Sequence, residues 1–100
     1  MNIATIIQAR MNSSRFPNKV LKKINNKPLI EYLIDQVKHK NIGMPIIVAT
    51  SSKKSDQEII DYCIYKNLDY YRGDLVNVAS RFYNIIKIYN LDLFVRVCAD

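Results

Sequence analysis

The sequence predicts an α/β protein built on a doubly wound, Rossmann-like parallel sheet of strand order 3-2-1-4. Three observations predict it. Four short apolar runs, "NIATIIQ", "PIIVAT", "LDYY" and "DLFVRV", are spread along the 100 residues. Between them, apolar residues recur at helical spacing. Strands that alternate with helices pair in parallel through right-handed crossovers.

Each element has its own warrant. Asn2–Gln8 is a mostly apolar run bounded by polar residues, as in a buried parallel strand. Ala9–Lys19 is a polar loop. Pro28 suits a first helical position, and Leu29, Ile30, Leu33, Ile34 and Val37 mark one face of a helix to about Lys40, with Gly43 closing the unit. Pro45–Thr50 is the second strand. Ser55 with Glu58 has the spacing of a capping box, opening a helix whose inner face is Ile59, Ile60, Cys63 and Ile64. Leu68–Tyr71 is the third strand. Asp74 is placed to cap the next helix, where Leu75, Val78, Ala79, Phe82, Ile85, Ile86 and Tyr89 keep helical spacing. Asp92–Val97 is the fourth strand.

Order 3-2-1-4 puts the fourth strand beside the first, on the side away from the second. That is a topological switch point, and ligands of such sheets sit there, at the carboxyl ends of the strands. Topology therefore brings the loop after the first strand and Asp100, which closes the fourth, to one place. A parallel strand at the last residue has nothing after it to cover its edge. The 100 residues are accordingly read as the N-terminal portion of a longer domain.

Charge says what the first loop is for. The chain carries 15 Lys+Arg against 9 Asp+Glu, a formal net charge of +6. The first acid is Glu31, and Arg10, Arg15, Lys19, Lys22, Lys23 and Lys27 all precede it. The later residues balance, so the whole excess is local. Arginine offers phosphate two parallel N–H donors, lysine a point charge, and Ser13 and Ser14 add hydroxyls. A polyphosphate suits this loop better than a solvated surface role. The chain has only two Gly, with neither GxxxxGK nor GxGxxG, so P-loop and dinucleotide readings are weak. A nucleic-acid-binding module would interleave aromatics with the bases, and between Gln8 and Lys27 the only aromatic is Phe16.

Other residues have blander readings. Cys63 and Cys98 are isolated, which indicates neither a metal cluster nor a disulfide framework and makes a reducing cytoplasmic setting the default. No run approaches the length of a membrane span. His39 sits near a helix C-terminus, where a cation is favoured. Lys22, Lys23 and Lys27 are read as solvated, and Asp74 as a cap.

The stretch "IIQARMNSSRFPNKVLKKINNKPLIEYLI" resembles the opening signature of the bacterial cytidylyltransferases, with a pattern like QARxxSxRxPxKxL followed by KPL and a helix. The spore coat polysaccharide biosynthesis type is nearest, related to the CMP-sialic acid and CMP-KDO synthetases. "IIVATS", "YRGDLVNVASRFY" and "FVRVCAD" fall where that family has its second strand, its base-contacting segment and its metal carboxylate. The resemblance implies a Rossmann-like three-layer nucleotidyltransferase fold. It implies that Ala9 lies along the nucleotide, and that Arg10, Ser14, Arg15 and Lys19 hold the triphosphate, with Arg10, Arg15 and Lys19 acting in catalysis. Arg72, Asn77, Val78, Ala79 and Ser80 would approach the cytosine, and Asp100 would bind Mg²⁺. The implied reaction is attack of a sugar or sugar-acid oxygen on the α-phosphate of CTP, releasing pyrophosphate, for surface polysaccharide. Nucleic acid and membrane are not implied partners, and a homodimer is compatible with the full-length protein. Asn12 and Asn18 stand where family members often have Gly; Asn is the next best residue for a left-handed backbone. The second metal carboxylate and most sugar contacts would lie beyond Asp100, so this stretch alone is not expected to complete the reaction. The alternative within enzymes is a sister nucleotidyltransferase using another NTP and a sugar 1-phosphate, whose glycine-rich opening loop is absent here.

Overall fold

The computed structural model describes residues 2–11, 19–40, 44–74, 77–99. The strands β1 (Ile3–Gln8), β4 (Ile46–Ser51), β5 (Asp69–Gly73) and β6 (Leu93–Cys98) form one parallel sheet, ordered β5-β4-β1-β6. This is the order 3-2-1-4 predicted from the alternation of strands and helices. The helices are α1 (Leu29–Lys40), α2 (Gln57–Lys66) and α3 (Val78–Tyr89).

β1 is the spine. Ala4, Ile6 and Ile7 are fully buried because neighbours lie on both edges and helices on both faces. On one face Ile7 and Val48 pack with Ile30, Ile34 and Val37 of α1 and with Ile59 and Cys63 of α2. On the other, Ala4, Ile6, Ile47 and Ala49 pack with Ile85 of α3, flanked by Tyr71, Phe82 and Tyr89. The alternating side chains of a strand thus feed two separate apolar clusters. The result is the three-layer arrangement.

The structure departs from the sequence reading in local detail. Pro28 does not open α1; it closes a two-stranded hairpin, β2 (Lys23–Ile24) with β3 (Lys27–Pro28), and α1 starts at Leu29. The hairpin turns at Asn25 and Asn26, with φ of 54° and 65°. A two-residue hairpin turn of this hand needs positive φ at both central residues, and Asn tolerates it. Asn67 and Asn90, at φ of 58° and 52°, end α2 and α3 in the same way. In a chain with two glycines, asparagine turns the backbone. Ser55 does not cap α2. A 3₁₀ turn over Lys54–Asp56 precedes the helix, the cap position is Asp56, and no side chain caps it. Ile64 is 61% exposed, in the last turn before Asn67 reverses the chain. α3 is capped by Asn77 and not by Asp74: the Asn77 side chain accepts from Ser80 N–H at 3.0 Å, while the Asp74 carboxylate accepts from Asn77 N–H at 3.1 Å. On α3, Ala79 is exposed and Arg81 is buried.

Arg81 fits because residue 73 has no side chain. A Cβ on Gly73 would lie 2.3 Å from Arg81 Cγ and 2.9 Å from Tyr71 Cε2. Those are the inner methylene of a 1% exposed side chain and an aromatic ring carbon, neither able to swing away. Gly73→Ala is therefore expected to destabilise the chain by about 1–3 kcal/mol through overpacking. Thermal unfolding followed by circular dichroism should show a drop in midpoint of at least about 4 °C; an unchanged midpoint contradicts this packing.

Candidate nucleotide site

The carboxyl ends of β4, β1 and β6 form an edge at which the first loop leaves the sheet. The exit is fixed on both sides by backbone bonds. Ala9 N–H donates to Ala49 O at 3.0 Å, and Ala99 N–H donates to Gln8 O at 2.9 Å. Gln8 is itself 8% exposed, and its Oε1 accepts from Arg96 Nη2 at 3.1 Å, a second tie between β1 and β6. The Arg96 guanidinium lies 5.3 Å from the centre of the Phe82 ring, which stacks on Phe94 at 5.4 Å. Cation–π contact of this kind keeps an arginine in place while leaving it charged.

Of the residues that the sequence singled out, Ala9 is fully buried and Arg10 partly exposed, directly past the end of β1. Lys19 begins the 3₁₀ turn Lys19–Leu21, whose Val20 is buried against α1 and the sheet. Ser14, Arg15 and Asp100 lie outside the described residues. Ala99 brings the chain to within one residue of Asp100 and sets it beside the exit of β1. Asn77, Val78 and Ser80 form the first turn of α3, where Ser80 Oγ also donates to Asn77 O at 2.8 Å.

Arg72, the penultimate residue of β5, points back to the β4–α2 turn. Its Nε donates to Ser51 O at 3.1 Å, Nη1 to Gln57 Oε1 at 2.7 Å and Nη2 to Lys53 O at 2.7 Å. A planar fork of donors can hold three acceptors at once, and lysine cannot reproduce that. In this structure Arg72 braces the turn.

That turn carries a residue the sequence reading passed over. Asp56 is 2% exposed. Its Oδ1 accepts from Met11 N–H at 2.8 Å, its Oδ2 from the Ser51 hydroxyl, and Ser51 Oγ in turn accepts from Lys53 N–H at 3.2 Å. The opening of the basic loop is thereby tied to the end of β4. No periodic signal marks Asp56, because its partner Met11 is 45 residues away.

Elsewhere the charges do other work. Glu31 is held below the usual carboxylate range by a hydrogen bond from the Tyr62 hydroxyl and by Lys66 at 3.2 Å, which links α1 to α2. Lys22, Lys23 and the terminal His39 of α1 are exposed.

With this geometry in view, the sequence profile described as "Cytidylyltransferase" matches residues 4–100. The chain belongs to the cytidylyltransferase family. It is 40% identical over 100 residues to an uncharacterised protein of Methanocaldococcus jannaschii, covering 100% of this chain and 41% of that protein. It is 30% identical over 103 residues to the spore coat polysaccharide biosynthesis protein SpsF of Bacillus subtilis, covering 99% of this chain and 43% of that protein. Among solved structures, a cytidylyltransferase from Leptospira borgpetersenii superposes with a TM-score of 0.92 at 24% identity, covering 100% of this chain and 42% of that one. The chain thus spans about two fifths of the length of these relatives. At that identity the superposition establishes the fold, which is the cytidylyltransferase fold over its N-terminal part.

The two cysteines of this cytidylyltransferase-family chain are chemically distinct. Cys63 is buried in the core, and burial pushes its thiol up to about 11; Cys98 is exposed at the end of β6. At pH 8 a thiol with so high a pKa stays protonated and inert. Titration of the native chain with a disulfide reagent is expected to give one fast equivalent, abolished by Cys98→Ser, with Cys63 reacting only on unfolding. Two fast equivalents at pH 8 contradict the buried placement of Cys63.

Proposed function

We propose that this chain is the nucleotide-binding part of a cytidylyltransferase that transfers CMP from CTP to a sugar or sugar acid, in the making of surface polysaccharide. The observation that carries the reading is the position of the acid-free basic loop. It leaves a strand buried on both faces, beside the end of β6, at the switch point of a parallel sheet. The family membership supplies CTP as the donor. Among the described residues no helix is long and apolar enough to cross a membrane.

The chemistry asks for positioning and charge neutralisation more than for a covalent intermediate. A sugar oxygen attacks the α-phosphorus, the bond from α-phosphorus to the bridging oxygen breaks, and pyrophosphate leaves. Arg10, Ser14, Arg15 and Lys19 hold the triphosphate oxygens and counter the charge that accumulates on the leaving group. Ala9 lies along the nucleotide. The capped first turn of α3, with Asn77, Val78 and Ser80, faces the base together with the Arg72 side of β5.

Mg²⁺ fits the donor set of this reading, which is one carboxylate and phosphate oxygens, all hard ligands. The backbone bond from Ala99 to Gln8 O brings the chain preceding Asp100 to the exit of the basic loop. Asp100 is the ligand proposed, because the resemblance puts the family's metal carboxylate there and strand order brings it beside the basic loop. When bound, the ion neutralises phosphate charge and polarises the α-phosphoryl group.

Two measurements on the chain test the assignment. Arg15→Ala should weaken CTP binding by about 1.5–3 kcal/mol, the loss of a charge-assisted phosphate contact, with an unaltered melting curve. Unchanged affinity in calorimetric titration removes Arg15 from the site. Asp100→Asn should abolish the gain in CTP affinity that Mg²⁺ confers. Without metal, CTP should bind as before or slightly better, since a nearby negative charge is gone. If Asp100 merely balances the loop arginines, the Mg²⁺ gain survives, and that outcome rejects the metal role.

A further inference from the structure

The β4–α2 turn sends a carboxylate to the start of the basic loop, at Met11. Residues 1–30 hold six bases and no acid, yet the fold brings the carboxylate of Asp56, at 2% exposure, to the backbone N–H of Met11. A buried charge is retained only where hydrogen bonds stabilise it. Among the described residues Asp56 meets two neutral donors, the Met11 N–H and the Ser51 hydroxyl. It contributes no side-chain cap to α2 although it occupies the cap position. Its bonds run away from the helix, toward the loop. The turn that carries it is held from behind by Arg72, through Ser51 O, Lys53 O and Gln57 Oε1. A continuous path therefore runs from β5 through Arg72, the turn and Asp56 to Met11, one residue past Arg10.

We propose that Asp56 is a positioning residue for the nucleotide. It fixes the take-off direction of the Arg10–Lys19 loop, and Arg72 acts by holding the turn that presents it. This rests on the reading of that loop as the triphosphate site. Positioning and simple electrostatics predict opposite outcomes. A carboxylate near a polyphosphate repels it, so on charge alone its removal tightens binding. If the carboxylate instead holds the loop in its binding geometry, its removal loosens binding despite the gain in positive charge. An amide of the same shape keeps an acceptor for Met11 N–H and can exchange a hydrogen bond with Ser51, so it should restore much of the lost order.

The experiment uses the 100-residue chain, with hydrogen exchange of individual amides and CTP titration in parallel. In Asp56→Ala, exchange at Met11 N–H should rise at least tenfold while amides in the middle of β1 and α3 stay protected. CTP affinity should fall at least tenfold. Asp56→Asn should lie within about threefold of the parent in both. If Asp56→Ala does not fold, Ser51→Ala, which removes one of the two donors, should give the same pattern at smaller amplitude, at least threefold in each readout. Unchanged Met11 exchange, or CTP binding that is unchanged or tighter in the alanine variant, overturns the proposal. So does Asp56→Asn behaving like Asp56→Ala, because charge and not hydrogen bonding would then matter. Failure of the parent chain to bind CTP overturns the reading of the loop itself. It is distinguished from failure of the Asp56 proposal by the parent titration, before any variant is made.

Discussion

A strand buried on both faces and paired on both edges has no room for charge. β1 meets all four conditions: β4 and β6 take its backbone groups, α1 and α2 cover one face, and α3 covers the other. Its residues must be apolar or small as far as Gln8, and polar chemistry can begin only where the strand stops. The basic loop starts at that point. Because β1 is the first strand and sits between the second and the last, its end is also where the crossovers on either side diverge. Burial of one strand thus sets both where the charged residues stand and which neighbours they have.

The cost of such a loop is self-repulsion, and the fold meets it in two ways. Asp35, midway along α1, pairs with Lys27 of the hairpin. Asp56 enters from the β4–α2 turn and takes the first loop amide. The bond at Met11 joins the end of a sheet strand to a short turn. The Ser51 hydroxyl, on a fully buried residue, donates to the second oxygen. On the proposed reading of the loop, an anchor at Met11 lowers the ordering cost of binding.

The fold was legible in the sequence because it is written in short-range periodicity. Ile30, Ile34 and Val37 share a helix face, and "IIVATS" is apolar without alternation, whatever the rest of the chain does. The hairpin at 23–28 escaped because its turn is Asn-Asn and its strands are two residues each. The misplaced caps have one cause. Asp74, Ser55 and Asn77 all have cap chemistry, and only the position of the first helical turn decides between them. Arg81 was invisible for another reason: an arginine one turn into an amphipathic helix reads as surface, and its burial depends on Gly73, eight positions earlier on a neighbouring strand. Asp56 is the extreme case. Its bond to Met11 spans 45 residues, and the local reading placed the cap on its neighbour Ser55.

The chain has five arginines, and the described ones all serve the carboxyl edge of the sheet in different ways. Arg72 holds the turn after β4, Arg81 fills the space above Gly73, and Arg96 ties β6 to Gln8 while resting on Phe82. Arg10 follows β1 into the loop, where Arg15 also belongs in the sequence. Lysine could supply the charge in every case, but not the geometry. Arg72 uses the flat guanidinium to span three acceptors, Arg96 to reach Gln8 and lie on a ring, and Arg81 packs its aliphatic stem over Gly73. The lysines, by contrast, are mostly exposed and pair, where they pair, with surface acids or tyrosine rings. Net charge therefore misreads this protein. Three of the six bases that make up the excess, Arg10, Arg15 and Lys19, belong to the loop, whereas the described arginines outside it, Arg72, Arg81 and Arg96, have structural contacts around the edge from which that loop departs.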